Sequence, residues 1–179
     1  MKRQTTSYID GLSALLERNG SIKHADTKAL KKMFGQSSLA TFEDFLLEEN
    51  LVDKSDLLEA LSEYYQVPAV DLLSQFLDHH LVTMFPVDLM VRKGFVPFQR
   101  DENILIIVAS NPHDDTLSET LGRYVSYQTT FWVGILQDII DMAREYTDTS
   151  ITQEPQDIDR NTESQEEKLV HRISEDTWE

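Results

Sequence analysis

Histidine and carboxylate are the principal metal-ligating side chains of this 179-residue chain, and they are candidates for moving protons, because it has no cysteine. That absence removes disulfides, thiolate zinc sites, iron–sulfur clusters and cysteine nucleophiles together. His79 and His80 are adjacent and point apart on any regular element, and no HxxxH or HExxH spacing occurs. His113-Asp114-Asp115 mixes ligand types, but it has a complete alternative reading. Asn111-Pro112 makes a turn, and the two aspartates sit where a starting helix leaves its amides unpaired. The carboxylate pairs Glu48-Glu49 and Asp101-Glu102 fall in polar stretches, where ordinary pKa values make general acid catalysis at neutral pH weak. No serine occupies a GxSxG elbow and no GxxxxGK[ST] loop cradles a phosphate. The turn after Ile104–Ser110 offers no glycine to a pyrophosphate. The sequence therefore predicts no catalytic residue, no metal ligand and no cofactor.

The elements around these residues change character along the chain. From Ser7 to Gln66 apolar residues recur at helical spacing. Ile9, Leu12, Leu15 and Leu16 precede an Asn19-Gly20 stop, and a second helix runs from about Ala25 to Phe34, closed by Gly35. Phe42, Phe45, Leu46 and Leu47 then turn near Asn50 into a helix capped at Ser55, with Leu57, Leu58, Leu61 and Tyr65 on its inner face. The two hairpins read as a diverged repeat at an offset of 31, Leu15–Asn19 against Leu46–Asn50. After Val67-Pro68 the texture shifts. Pro86 opens a short helix ending at Gly94, and FVPFQ, the turn RDEN and ILIIVAS read as a strand hairpin whose second strand is central and covered on both faces. A helix from about Asp114 to Tyr124, the strand YQTTFWVG and a helix from Ile135 to Tyr146 complete the order helix-strand-strand-helix-strand-helix. The predicted class is α+β: N-terminal helical hairpins followed by a small three-stranded sheet packed with helices. Three regions follow: a helical subdomain at 1–66, a small α/β subdomain at 67–147, and an acidic tail at 148–179 too poor in apolar residues to order itself.

The net charge of -16 is uneven: residues 1–40 carry seven basic and three acidic side chains, whereas 41–65 carry one and eight. Most of this surface would repel nucleic acid and anionic lipid and would suit a basic protein partner. No h-region opens the chain and no window reaches the roughly 18 apolar residues of a membrane span, so no signal peptide and no direct membrane insertion are predicted.

The order of motifs from Phe42 to Tyr146 resembles the N-terminal domain of the type II secretion and type IV pilus assembly ATPases, the GspE N-terminal or MshEN-like family. Leu46-Leu47-Glu48-Glu49-Asn50-Leu51-Val52 with Leu57 to Leu61 matches the family's helical hairpin, and Pro68-Ala69-Val70-Asp71-Leu72 its P-V-D-L phrase. Ile106 to Asp114 matches its LxVAxxDPxD strand. Members that bind cyclic-di-GMP resemble RLGxxLVxxGLIxxxxLxxxLxxQ. Laid on this chain, the arginine falls at Thr41, the first glycine at Glu43, the second at Asn50 and the glutamine at Tyr64. In the earlier hairpin Gly11 stands where arginine belongs. The apolar frame survives and the ligand residues do not. The resemblance implies the family's docking domain without its motor.

The resemblance implies a non-enzymatic, cytoplasmic adaptor or regulatory module, held at the inner membrane through its partner. That partner would be a platform component or ATPase of a secretion or pilus machine, met through Glu48, Glu49, Glu59 and Glu63. The alternatives are a cyclic-dinucleotide receptor, disfavoured by the replaced residues, and a homodimer formed through a sheet edge.

Overall fold

The computed structural model describes residues 4–152, with side chains described as far as Tyr146. Four helices form two successive hairpins: α1 (Thr6–Arg18), α2 (His24–Gln36), α3 (Phe42–Glu48) and α4 (Lys54–Tyr65). Thr5 caps α1 by accepting from the Tyr8 amide, and Thr41 caps α3 by accepting from the Asp44 amide at 3.1 Å. The cap of α4 is Asp53, not Ser55, and α2 runs through Gly35 to Gln36. A glycine in a helix costs stability without ending it when the flanking face stays buried, as Phe34 is here.

The repeat has an offset of 30, one residue less than the sequence alignment gave. Ser21 N donates to Leu16 O at 2.9 Å and Leu51 N to Leu46 O at 2.9 Å, while Gly20 N reaches Glu17 O and Asn50 N reaches Leu47 O. The turn residues Gly20 (φ 79°) and Asn50 (φ 52°) both adopt the left-handed conformation. Asparagine tolerates that region better than other side chains, so the glycine position of the family pattern keeps its geometry here.

Beyond Gln66, itself left-handed, come a short 3-10 turn at Leu72–Ser74, α5 (His79–Val82) and α6 (Val87–Lys93). The sheet follows: β1 (Phe95–Asp101), β2 (Ile104–Ala109) and, after α7 (Asp115–Leu121), β3 (Gln128–Val133). β1 pairs antiparallel with β2 through a tight turn at Glu102, and β2 pairs parallel with β3, giving the order β1-β2-β3. β2 is central, as its apolar run predicts, but doubly covered at one end only. Val108 and Ala109 are fully buried, whereas Ile104 is 40% exposed. α8 (Leu136–Thr152) continues past the Tyr146 expected from sequence, and the remaining tail, expected to be disordered, lies outside the described residues.

Residues up to Asp148 form one compact unit with two apolar clusters. One gathers Phe95, Leu105, Ile107, Leu117, Leu121 and Ile139 around the sheet. The other gathers Leu12, Leu16, Phe42, Leu46, Leu57 and Leu61 among α1–α4 and includes Val133 and Ile135 from the end of β3. An isolated parallel bridge reinforces that join: Val70 N donates to Val133 O at 3.0 Å and Val133 N to Pro68 O at 2.9 Å. A second tie is ionic. Lys54 of α4 lies 2.6 Å from Asp71 and 2.9 Å from Asp138 of α8. Burial lowers the Lys54 pKa, but the two carboxylates outweigh it and hold the pKa above the ordinary value; burial raises that of Asp138 despite the lysine.

Candidate functional site

A cleft of about 520 Å³ opens between the helical hairpins and the C-terminal end of the sheet. Its floor is Glu43, in the first turn of α3, a carboxyl only 8% exposed. The glutamate is held by α1 and the residue before its cap. Tyr8 Oη donates to Glu43 Oε1, Gln4 Nε2 donates to Oε2 at 2.6 Å, and Gln4 Oε1 accepts from the Phe42 amide at 2.7 Å. Burial pushes the Glu43 carboxyl above the usual range even though both hydrogen bonds pull it down. The same burial, with Glu43 beside it, holds the Tyr8 hydroxyl well above its ordinary pKa.

Three tyrosines build the wall. Tyr64 lies edge-on to both Tyr8 and Tyr65, at 5.0 Å between centroids in each case, and Tyr65 meets the His113 ring edge-on at 5.2 Å. Tyr64 reaches this place because α1 carries glycine opposite it: a Cβ on Gly11 would lie 2.7 Å from Tyr64 Cε2. The opposite rim comes from the turn after β2, where Ser110, Asn111 and His113 line the cleft with Leu136.

Of the four positions where the cyclic-di-GMP pattern carries ligand residues, the fold brings three together at this cleft: Thr41, Glu43 and Tyr64. Asn50 is the left-handed turn residue elsewhere on the hairpin. Gly11, the matching arginine position of the first hairpin, touches the cleft through Tyr64. No lysine or arginine is among the described residues that line it.

The acidic residues predicted to meet a partner lie outside the cleft. Glu48, Glu49 and Glu59 are exposed on α3 and α4, and Glu63 pairs with Arg18 of α1. His113-Asp114-Asp115 resolves as a turn and cap: Asp114 accepts from the Thr116 amide at 3.0 Å and its hydroxyl at 2.7 Å, with Lys93 Nζ at 3.6 Å. Those hydrogen bonds hold its carboxyl below the usual range. Among the described residues no group of three histidines or carboxylates is placed to hold a metal. Sequence reasoning placed Glu43 and Tyr64 as replaced ligand positions but missed Gln4, Tyr8, Tyr65 and the Ser110–His113 rim. The pair Tyr64-Tyr65 at the end of an amphipathic helix was the available signal, since two adjacent rings cannot both face the core.

The fold is that of the N-terminal domains of secretion and pilus assembly ATPases. It is similar to the structure of MshE with cdg at 21% identity and a TM-score of 0.58, covering 75% of this chain and 97% of that one. It is also similar to the N-terminal domain of XpsE at 16% identity and a TM-score of 0.50, covering 80% and 97%. No curated protein matches the chain. Residues 65–153 match the family model of the MshEN domain.

Proposed function

We propose that the chain is a non-enzymatic adaptor or regulatory module of a bacterial secretion or pilus-type machine, acting through a protein partner. The observation that carries this reading is the cleft at the family's dinucleotide positions. The fold is kept, while a buried carboxyl occupies the floor and no described lining residue is a lysine or arginine. A bis-phosphate brought there would meet repulsion from any ionised Glu43 and no cation in return. Recognition then falls to protein surfaces, with Glu48, Glu49 and Glu59 exposed and Glu63 already paired to Arg18. Ser110 Oγ donates to the Gly94 carbonyl at 3.3 Å, so the cleft's serine is occupied in holding a turn. In this reading 1–66 is a helical recognition subdomain, 67–147 its α/β support and 148–179 an acidic tail. The protein would work in the cytoplasm, at the inner membrane through its partner. Among the described residues no helix is long and apolar enough to cross a membrane.

The likeness to MshE with cdg supports a second reading, a cyclic-di-GMP receptor. Calorimetry separates the two. Absence of heat at high micromolar cyclic-di-GMP is the result expected, and saturable binding would move the assignment to the receptor. Co-purification from the native cell should recover a platform component or motor ATPase. Recovery of no such component would overturn the adaptor reading.

A further inference from the structure

The cleft has a chemistry of its own. Its floor is an acid, its wall is a corner of perpendicular tyrosine rings, and its remaining polar groups are amides, hydroxyls and one imidazole. Aromatic faces set at right angles around a carboxyl form the arrangement that attracts an organic cation, because the ring quadrupole and the acid act on it in the same sense. The volume of about 520 Å³ exceeds that of one side chain and lies in the range of small-ligand sites. Nothing in the described lining competes as an internal cation. The ion pair between Arg18 and Glu63 on these helices does not line the cleft.

We propose that this cleft binds an organic ammonium or guanidinium group against Glu43 and the ring of Tyr64. The group would come from a free amine or from a lysine or arginine side chain of a protein partner. The inference shares its cleft with the function proposed above but does not depend on which machine supplies the partner.

Proton linkage gives the site a signature that surface charge lacks. Burial favours the protonated form of Glu43 in the empty cleft, and a cation favours the carboxylate, so binding releases a proton and tightens as pH rises. The groups around Glu43 are Tyr8 of α1, Asp44 of α3 and Tyr65 of α4, with His113 across the cleft.

The test is calorimetry on the full chain with arginine methyl ester, spermidine, and a capped pentapeptide carrying one arginine between glycines. The same peptide with citrulline serves as the neutral control. At least one cationic probe is expected to bind at submillimolar concentration and to tighten severalfold from pH 5.5 to 7.5, while the citrulline peptide gives no heat. Binding of the small cations alone assigns a free amine, and preference for the arginine peptide assigns a side chain. Glu43→Gln and, separately, Tyr64→Leu should weaken binding about tenfold, each with its fold checked by circular dichroism. Asp101→Asn, an exposed acid at the end of β1 outside the cleft, should leave it unchanged. No heat from any cationic probe overturns the proposal, as does equal binding by Glu43→Gln or by the citrulline peptide, or loss of binding in the Asp101 variant. Cyclic-di-GMP in the same cell keeps the two readings apart: its binding defeats the adaptor reading, whereas silence from the cations defeats this one alone.

Discussion

At the scale of single residues, Glu43 is a carboxyl that burial holds above its ordinary pKa. Its folded pKa is raised, so between its unfolded value near 4.5 and its folded value the native state holds more protons than the unfolded state. Its contribution to stability therefore declines as pH rises through that window. Relative to the parent, Glu43→Gln should gain stability as pH rises above 4.5, read as the difference in urea midpoints; a difference constant with pH would show that Glu43 is not perturbed. Gly94 is constrained differently. It ends α6 at φ 65°, and a Cβ there would lie 2.5 Å from Ser110 Oγ. Gly94→Ala should cost about 2 kcal/mol in chemical denaturation, from left-handed backbone and the displaced hydroxyl together. The sequence made Gly94 legible as a helix stop. It also made Glu43 legible as an acid in a glycine's place, because both readings rest on local pattern. It left Gln4 and Tyr8 invisible, since their role depends on α1 lying against the start of α3, a contact no local pattern encodes.

At the scale of elements, local signals were sufficient where a cap or turn acts alone. Pro86 before α6, Asp114 before α7 and the tight turn at Glu102 all stand where the residue types put them. They misled where two candidates compete, as with Asp53 and Ser55, or where burial carries a helix through a glycine, as at Gly35. The ionic tie between α4 and α8 was unreadable in sequence, because Lys54, Asp71 and Asp138 are far apart along the chain. Lys54→Met should destabilise the protein by about 2 kcal/mol at neutral pH, because it leaves the buried Asp138 carboxylate without its cation. The loss should shrink toward pH 4, where Asp138 can take a proton. Melting curves at the two pH values measure it, and an equal loss at both would mean that charge is not the cause.

At the scale of the whole molecule, the order of elements and the α+β class followed from periodicity, whereas the way the two apolar clusters meet did not. By sequence Val133 belongs to the last strand and Ile135 to the start of the last helix, yet both join the helical cluster by packing. Unfolding of residues 4–148 should accordingly be a single transition. Far-ultraviolet dichroism and Trp132 fluorescence, followed in a Trp178→Phe background, are expected to superimpose, and two separated midpoints would show the clusters melting independently. The bridge between Ala69 and Val133 also has a meaning in time. The helical hairpins and the β1-β2 hairpin form from neighbours in sequence, but this bridge cannot close until the whole segment between its two residues is in place, so its loop entropy is met last. Val133→Ala should speed unfolding and leave refolding almost unchanged in stopped-flow measurements, while Leu46→Ala slows refolding. The strand end that joins the two cores is then the last part to assemble and the first to let go.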